Sequence, residues 1–255
     1  MLRIELFSVF KVLCLVFLVL TSACSTSKNN LLTDKTPEAE DPWENLNRGT
    51  FAFNEKFDKY LLSPLAKGYR LIFPSEVRTG VRNFLNNLSE PWSSINSILQ
   101  GDLKNTGNSL ARFLINSTIG VLGIFDVATE IGFENQKEDF GQTLAVHGVG
   151  PGPYLVLPFL GPSTLRDAIG KVTALFGDPV TLALERNNKD EWIWIGMAIK
   201  GVDFREQNLE KIDNLNATSV DFYATLRSLY LERRSSMIRN QNTDEKDPFQ
   251  EFDVE

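Results

Sequence analysis

Apolar positions recur at helical spacing over most of this chain. The first such stripe consists of Leu46, Thr50, Phe53, Phe57 and Tyr60, which lie three or four positions apart. This spacing predicts an amphipathic helix over residues 41–62. Asp41 stands where an N-cap is expected, Pro42 follows at the first helical position, and Glu44 comes three residues after the cap. We therefore expect Asp41 to begin this helix.

Three further helices are predicted in quick succession. Ser75 is expected to cap one, whose apolar stripe is Val77, Val81, Phe84, Leu85 and Leu88. Another runs from about Pro91 to Gln100 and ends at Gly101, because glycine commonly ends helices. The fourth begins at Asp102 and carries Leu103, Leu110, Phe113 and Leu114. Short connections between these helices predict antiparallel neighbours.

The second half of the chain has the same character. Ser163 or Thr164 is expected to cap a helix that ends at Asp178 and Pro179, with Leu165, Ile169, Val172 and Phe176 in register. In a last helix opened by Asp221, an inner stripe is predicted, while arginines should face out. The stripe is Phe222, Leu226 and Leu229, and the arginines are Arg227, Arg233 and Arg234. The pattern predicts a mostly α-helical single domain over residues 41–240.

Two apolar segments lack a polar face. Residues 119–125 read IGVLGIF and continue directly from the fourth helix, and residues 192–199 read WIWIGMAI between Glu191 and Lys200. Both are too short to span a bilayer, which takes about 20 residues. A helix that is apolar on every side lies in a core or against lipid. We expect these segments to lie in one membrane leaflet, with plain core as the alternative. The expected contacts are Ile119, Phe125, Trp192 and Trp194, since tryptophan suits the headgroup boundary.

Glycine and proline are concentrated between residues 138 and 167. Gly148, Gly150 and Gly152 alternate there with Pro151 and Pro153, just before an apolar run over 154–157. Because proline lacks a backbone donor and glycine disfavours regular structure, few ladder bonds are expected. The segment is predicted to form bends at the wall of a hollow, and a loop packed on an ordinary core is equally compatible with its composition.

The N-terminus has the pattern of an export signal. Arg3 and Lys11 accompany an apolar run over residues 12–20, which is too short for a spanning helix. Small residues then precede Cys24, in a pattern that resembles a bacterial lipobox except for Thr21 three residues before the cysteine. We interpret residues 1–23 as a lipoprotein signal peptide and Cys24 as the lipidated first residue. By resemblance to bacterial lipoproteins, Ser25 indicates sorting to the outer membrane.

Two polar segments flank the predicted domain. Residues 24–40 are rich in Ser, Asn, Thr, Lys and Glu and are typical of a flexible tether. Residues 241–255 form an acidic tail without an apolar period, which is expected to be disordered. The formal charge is −7, and removal of the signal with its Arg3, Lys11 and Glu5 leaves −8. Such a surface does not favour nucleic acid as a partner.

Catalytic and metal-binding patterns are missing from the sequence. A zinc site would need several His or Cys ligands, whereas His147 is the single histidine and Cys24 the one cysteine left after signal removal. His147, Ser163 and Asp167 could form a hydrolase triad, but there is no GxSxG motif. We expect His147 to bind backbone in a crowded turn. No dinucleotide or phosphate loop is present, so no cofactor is predicted.

Several motifs together resemble the MlaA (VacJ) family of phospholipid-transport lipoproteins. They are DPWENLNRGTFAFN, RNFLNNLSEP, LQGD, RFLINSTIGVLGIFDVA, DFGQTLAVHGVGPGPYLVLPFLGPSTLRD and DFYATLRSLYLERR. They follow one another in the family's order and spacing from about Asp41 to Arg234. The family pattern NRxxFxFN corresponds to Asn47, Arg48, Phe51, Phe53 and Asn54.

This resemblance implies a ring-like helical protein partly embedded in the inner leaflet of the outer membrane. A central pore would let mislocalised phospholipid leave the outer leaflet and reach a periplasmic lipid carrier, so that outer-membrane lipid asymmetry is maintained. The resemblance also implies association with a trimeric porin. Its hinge-like glycines correspond to Gly148 and Gly150, with Gly152 beside them at the pore border. The alternatives are a structural scaffold for outer-membrane proteins and a periplasmic lipolytic enzyme.

Overall fold

The computed structural model describes residues 40–239, which lie in one compact unit. The predicted signal peptide over 1–23, the lipidation site Cys24, the tether up to residue 39 and the acidic tail over 241–255 lie outside the described residues. They therefore stay predictions.

Helices dominate this part of the chain, which confirms the mostly α-helical class. In chain order the elements are α1 (Glu44–Phe57), a π-helical turn (Asp58–Leu62), α2 (Ser63–Ile72), α3 (Ser75–Asn87), α4 (Glu90–Gln100), α5 (Leu103–Thr118), α6 (Val127–Glu130), α7 (Phe140–Val146), β1 (Tyr154–Leu157), β2 (Gly161–Thr164), α8 (Leu165–Gly177), α9 (Pro179–Arg186), α10 (Glu191–Gln207), α11 (Leu209–Thr218) and α12 (Phe222–Ile238).

Several helix ends follow from local sequence. Gly101 ends α4 in the left-handed conformation at φ 79°, which glycine adopts without a Cβ penalty. The side chain of Asp102 caps α5 by accepting from the Asn105 amide. Thr164 caps α8 by accepting from the Asp167 amide. These predicted ends are confirmed.

The start of α1 was predicted wrongly. Trp43 occupies the N-cap position, and α1 begins at Glu44 without a side-chain cap. The Asp41 carboxylate instead accepts from the Asn47 side chain and from the Tyr223 hydroxyl. Tertiary partners therefore take the side chain that local pattern assigned to capping. Ser75 is likewise no cap, since Pro74 holds that position.

Residues 119–125 do not continue the helix α5. The helix ends at Thr118, and Val121 and Leu122 take positive φ angles of 52° and 59°. A Cβ on Gly120 would lie 2.2 Å from the Phe125 carbonyl oxygen. The chain therefore forms a tight turn that requires glycine at its closest approach.

The Gly/Pro-rich segment contains more regular structure than its composition predicts. Strands β1 and β2 pair antiparallel, with Tyr154 opposite Thr164 and Leu157 opposite Gly161. Backbone bonds from Leu165 N to Pro153 O and from Arg166 N to Pro151 O extend this pairing. The prolines contribute carbonyl acceptors here, so their missing N–H groups cost nothing.

The pattern of burial is the reverse of that in an ordinary soluble domain, because polar side chains are buried here and many apolar ones are exposed. Among residues 40–239, 24 polar or charged side chains are buried against 10 apolar ones. The predicted apolar stripes exist but face outward, as Leu46 at 68% exposure, Leu114 at 61% and Phe176 at 61% illustrate. Phe222 and Leu226 do pack inward, against a small core of Phe51, Tyr154, Val156 and Tyr223.

The helices of residues 40–239 fall short of the combined length and hydrophobicity that a bilayer-spanning helix needs.

Candidate functional site

Buried ion pairs replace an apolar core between α4 and α5. The guanidinium of Arg112 lies 2.8 Å from Glu90, and both side chains are 2% exposed. Arg112 also donates to Asp126, to the Thr129 hydroxyl and to the Phe133 carbonyl. Burial raises the pKa of Glu90, against the opposing effect of Arg112. A charge so fully hydrogen-bonded is tolerated away from water.

A second network joins α7, α8 and α12 around Arg234. This guanidinium donates to Asp139 at 2.6 Å and to Asp167 at 2.9 Å, and the Tyr230 hydroxyl donates to Asp167. A Cβ on Gly141 would lie 2.5 Å from Arg234 Nη2, so glycine lets the helix approach. Arg234 was predicted to face out. That prediction was wrong, because its acidic partners are 67 and 95 positions away in sequence.

A third network ties α10 to the first half of the chain. Arg82 donates to both carboxylate oxygens of Asp203, at 3.0 and 3.1 Å. Buried Glu206 accepts from Arg70 at 2.8 Å and also pairs with Arg78. Buried polar networks of this kind fix helix positions without apolar packing.

A cavity of about 520 Å³ lies among α3, α10, α11 and α12. The residues that line it are Arg82, Leu85, Asn86, Ser89, Lys137, Lys200, Asp203, Phe204, Gln207, Asn208, Lys211 and Arg233. Its size is in the range of small-ligand sites. Five cationic side chains and one carboxylate face it, so the wall is strongly basic in a chain of net charge −7.

Two lysines define the geometry of this cavity. Lys137 Nζ donates to Asn86 Oδ1 at 2.7 Å, and Lys200 Nζ donates to Ser89 Oγ at 3.0 Å. The two acceptors are three positions apart, about one helical turn. The two ammonium groups are therefore neighbours, and each is solvent-accessible.

The protein environment disfavours the charged form of both lysines. Although its side chain reaches solvent, partial desolvation by the surrounding protein lowers the pKa of Lys137, and the charge of Lys200 lowers it further. Burial likewise lowers the pKa of Lys200, while the Asp178 carboxylate acts in the opposite direction. Two cations held together in partial desolvation favour an anion between them.

The predicted hinge glycines have different surroundings. Gly148 follows α7 at φ +85°, and its N–H donates to Ala145 O, as in a helix C-cap. Gly152 is also at positive φ, and a Cβ there would lie 3.2 Å from Leu165. Gly150 has neither a positive φ nor an atom within 4 Å of a built Cβ. Their role as hinges stays a prediction.

The NRxxFxFN residues fasten α1 to the hairpin and to α12. Asn47 and Asn54 lie two turns apart on α1. The side-chain amide of Asn47 binds the backbone of β1, and that of Asn54 binds the backbone at the end of β1, each through its nitrogen and its oxygen. Phe51 packs on Tyr223 with ring centroids 5.5 Å apart. Arg48 pairs with Asp221 at 2.7 Å. Phe53 contacts the Phe159 ring. The motif residues therefore have a structural role, since they hold the β1–β2 hairpin and α12 against α1.

The predicted membrane contacts are all on the surface. Trp192 is 55% and Trp194 66% exposed, and Ile119 and Phe125 are similarly open. Large apolar side chains this exposed mark a contact surface when they are contiguous. Their contact with a membrane stays a prediction.

The three candidate hydrolase residues have separate structural partners. The ring nitrogen Nδ1 of His147 lies 2.8 Å from Thr143 O, as expected for a histidine that binds backbone. The Ser163 hydroxyl is fully buried and donates to the Thr164 carbonyl. Asp167 is held by Arg234 and Tyr230. In the described residues no group of His, Cys, Asp and Glu could hold a metal ion.

Most residues that line the basic cavity were not predicted from the sequence. Lys200 was noted only as the charged end of an apolar run, and Arg233 only as an outward arginine. Of three asparagines on α3, Asn86 lines the cavity, while Asn87 donates to Ser117 and Asn83 donates to the Ile124 carbonyl. No local pattern reveals that Lys137 and Lys200, 63 positions apart, meet at one helix end.

Comparisons with known proteins agree on one family. A family model described as MlaA lipoprotein matches residues 39–237. The intermembrane phospholipid transport system lipoprotein MlaA of Escherichia coli K12 is 34% identical over 197 residues, 76% of each chain. Its Haemophilus influenzae counterpart is 33% identical over 216 residues, 80% of this chain and 81% of that one.

A solved structure is also similar to this chain. It comes from work on the structural basis for maintenance of bacterial outer membrane lipid asymmetry. The match has a TM-score of 0.69 at 33% identity and covers 78% of this chain and 99% of that one.

Proposed function

The chain belongs to the MlaA lipoprotein family, and from this premise we propose that it is an intermembrane phospholipid transport lipoprotein that maintains outer-membrane lipid asymmetry. It is a transporter and not an enzyme. Moving a lipid breaks no bond, so the residues required are those that shield its head and tails from the wrong surroundings.

The inverted burial is the observation that carries this proposal. In hydrocarbon an apolar exterior costs nothing, whereas interior polar groups must bind one another. Residues 40–239 follow that rule, since Arg112 and Arg234 are each paired with a buried acid inside, while the apolar stripes lie outside. We propose that the domain is partly embedded in the inner leaflet, with Trp192 and Trp194 at the headgroup boundary.

The passage is proposed to run beside the basic cavity. A phospholipid combines a phosphate with two acyl chains, so its route needs a wet polar wall next to an apolar exit. The cavity supplies Lys137 and Lys200 together with the apolar Leu85 and Phe204. A ring-like arrangement with a central pore, bordered by Gly148, Gly150 and Gly152 as a movable segment, would complete such a route.

Location and partners complete the proposal. Lipidation at Cys24 would hold the protein on the periplasmic face of the outer membrane, and the apolar exterior would add affinity. A trimeric porin is the proposed neighbour in the membrane. A periplasmic lipid carrier would remove the phospholipid.

The test is complementation of a Gram-negative strain that lacks its own MlaA-family lipoprotein. Expression of this chain is expected to lower the phospholipid exposed in the outer leaflet and to restore detergent resistance, with the phospholipid chemically intact. A protein that reaches the outer membrane at normal level but leaves surface phospholipid unchanged would contradict transport and favour a scaffold. Accumulation of lysophospholipid that stops with His147→Ala or Ser163→Ala would indicate a lipolytic enzyme.

A further inference from the structure

The charge of the cavity wall is opposite to that of the chain. Arg82, Lys137, Lys200, Lys211 and Arg233 face a space that also receives the carboxylate of Asp203. The chain as a whole carries −7. A cluster of cations in an acidic protein raises the local concentration of anions.

The carboxylates near this wall are already engaged. Asp203 accepts from Arg82 through both oxygens and from Gln207 at 2.7 Å. Glu90, whose charge is felt by Lys137, is bound to Arg112. Asp178, whose charge is felt by Lys200, accepts from the Val180 amide at the start of α9. Within residues 40–239 these three acids have partners of their own, so an anion from outside can approach Lys137 and Lys200.

The two lysines are spaced for a shared anion. Their ammonium groups donate to Asn86 and Ser89, one turn apart, and both of these acceptors are neutral. Each ammonium has three donors. The oxygens of one phosphate diester can accept from both, through charge-assisted hydrogen bonds that are stronger than neutral ones.

We infer that this cavity binds the phosphate of an anionic phospholipid headgroup that lacks an ammonium of its own, such as phosphatidylglycerol, in preference to zwitterionic phosphatidylethanolamine. This inference rests on the proposed function, since it names the class of lipid that the transporter takes. The zwitterionic headgroup would bring a cation towards Lys137 and Lys200, where the carboxylates are occupied. Its phosphate would bind, but repulsion of its amine would offset part of that gain.

The experiment measures which lipid the purified full-length lipoprotein retains. The protein is delipidated in detergent, offered phosphatidylglycerol and phosphatidylethanolamine with identical acyl chains in equal amounts, and its retained lipid is quantified by mass spectrometry. The wild type is expected to retain phosphatidylglycerol over phosphatidylethanolamine by about tenfold, because the lysines repel only the amine of phosphatidylethanolamine.

Variants distinguish the effect of the cavity lysines from the effect of the protein's net charge. Lys137→Gln with Lys200→Gln should lower the preference to about twofold or less, whereas Lys137→Arg with Lys200→Arg should keep it because both charges stay. Lys67→Gln with Lys104→Gln, exposed lysines outside the cavity lining, removes the same net charge and should leave the preference unchanged.

The outcomes distinguish the headgroup preference, the assignment of the cavity and the transport function. Equal retention of both lipids overturns the headgroup inference and leaves transport standing, while retention of neither lipid overturns both. Loss of the preference in the Lys67 and Lys104 control also overturns the cavity assignment. Inorganic phosphate, added as a competitor, should displace little lipid, because the acyl chains add affinity. Complete displacement by inorganic phosphate would assign the cavity to the free ion and overturn the lipid site.

Discussion

The side-chain amide of Asn47 donates to the carbonyl oxygen of Tyr154 at 3.0 Å, although the two residues are 107 positions apart. Its oxygen accepts from the Val156 amide at 2.9 Å. One asparagine thus occupies the place of a neighbouring strand at the edge of β1. Asn54 repeats the arrangement with Leu157 O and Phe159 N.

Removing the Asn47 amide is expected to destabilise the fold strongly. Asn47→Ala leaves two backbone groups at Tyr154 and Val156 without partners inside the protein, at a cost of about 2–4 kcal/mol. Asn54→Ala should cost about 1 kcal/mol, because Phe159 is exposed and water can replace the amide. Denaturant unfolding in detergent measures both. Equal costs would contradict the edge-binding role of Asn47.

The buried pair of Arg112 and Glu90 should show strong coupling. Arg112→Met leaves Glu90 buried and uncompensated, and we expect the free energy of unfolding to fall by about 3–5 kcal/mol. Adding Glu90→Gln should restore part of the loss, since the amide needs no counter-charge. A double-mutant cycle measures this. Additive effects would mean that the two side chains do not share one interaction.

The glycine segment can be stiffened with little strain at Gly150. A Cβ there meets no atom within 4 Å and φ is not positive, so Gly150→Ala should leave protein level unchanged. If the segment is a hinge, outer-leaflet phospholipid should rise in complemented cells. Gly148→Ala should add a stability loss of about 1–2 kcal/mol because its φ is +85°.

The matched control is Gly107→Ala in α5, where a Cβ also meets open space. This change should stabilise the helix by up to about 1 kcal/mol and leave lipid transport intact. A Gly150→Ala protein that transports normally would contradict the hinge and leave Gly148 with a role as a helix cap alone.

Glu138 should make stability depend on pH. Burial raises the pKa of this carboxyl from 4.5 to about 7, against hydrogen bonds from Gln100. The folded state therefore holds a proton that the unfolded state has lost between these values, so stability falls as pH rises from about 4.5 to 7. The penalty above pH 7 is of the order of 3 kcal/mol.

Glu138→Gln should remove this dependence. The amide oxygen can still accept from Gln100 and Gln142, and no charge needs to be buried. The variant is expected to gain stability at pH 8 and to lose the decline between pH 5 and 7 in unfolding titrations. Glu134→Gln, at an exposed position, is the control. A decline of unchanged size in the Glu138 variant would assign it to other groups.

Local sequence predicted the helices and several of their ends, but not what their faces meet. Asp102 and Thr164 cap because their partners are three residues away. The inward Arg234 and the hairpin edge bound by Asn47 depend on residues more than 60 positions apart. Periodicity identifies an apolar face. Whether that face meets core or lipid depends on which polar groups pair inside.

The function could be predicted from the resemblance to a family, whereas the basic cavity could be found only in the three-dimensional structure. The motif residues Asn47 and Asn54 could be matched in sequence, although their role at the strand edge could not. Lys137 lies between motifs and has no pattern of its own. Its meeting with Lys200 at the end of α3 is a result of three-dimensional packing.

Tryptophan fluorescence in vesicles shows whether the outward apolar residues lie among acyl chains. A variant that keeps only Trp194, 66% exposed, is compared in vesicles with one that keeps only Trp92, which is partly buried with its ring against Gly177. Lipids brominated on the acyl chains near their headgroup end should quench Trp194 strongly and Trp92 weakly. Quenching of Trp194 no greater than that of Trp92 would contradict a location among acyl chains.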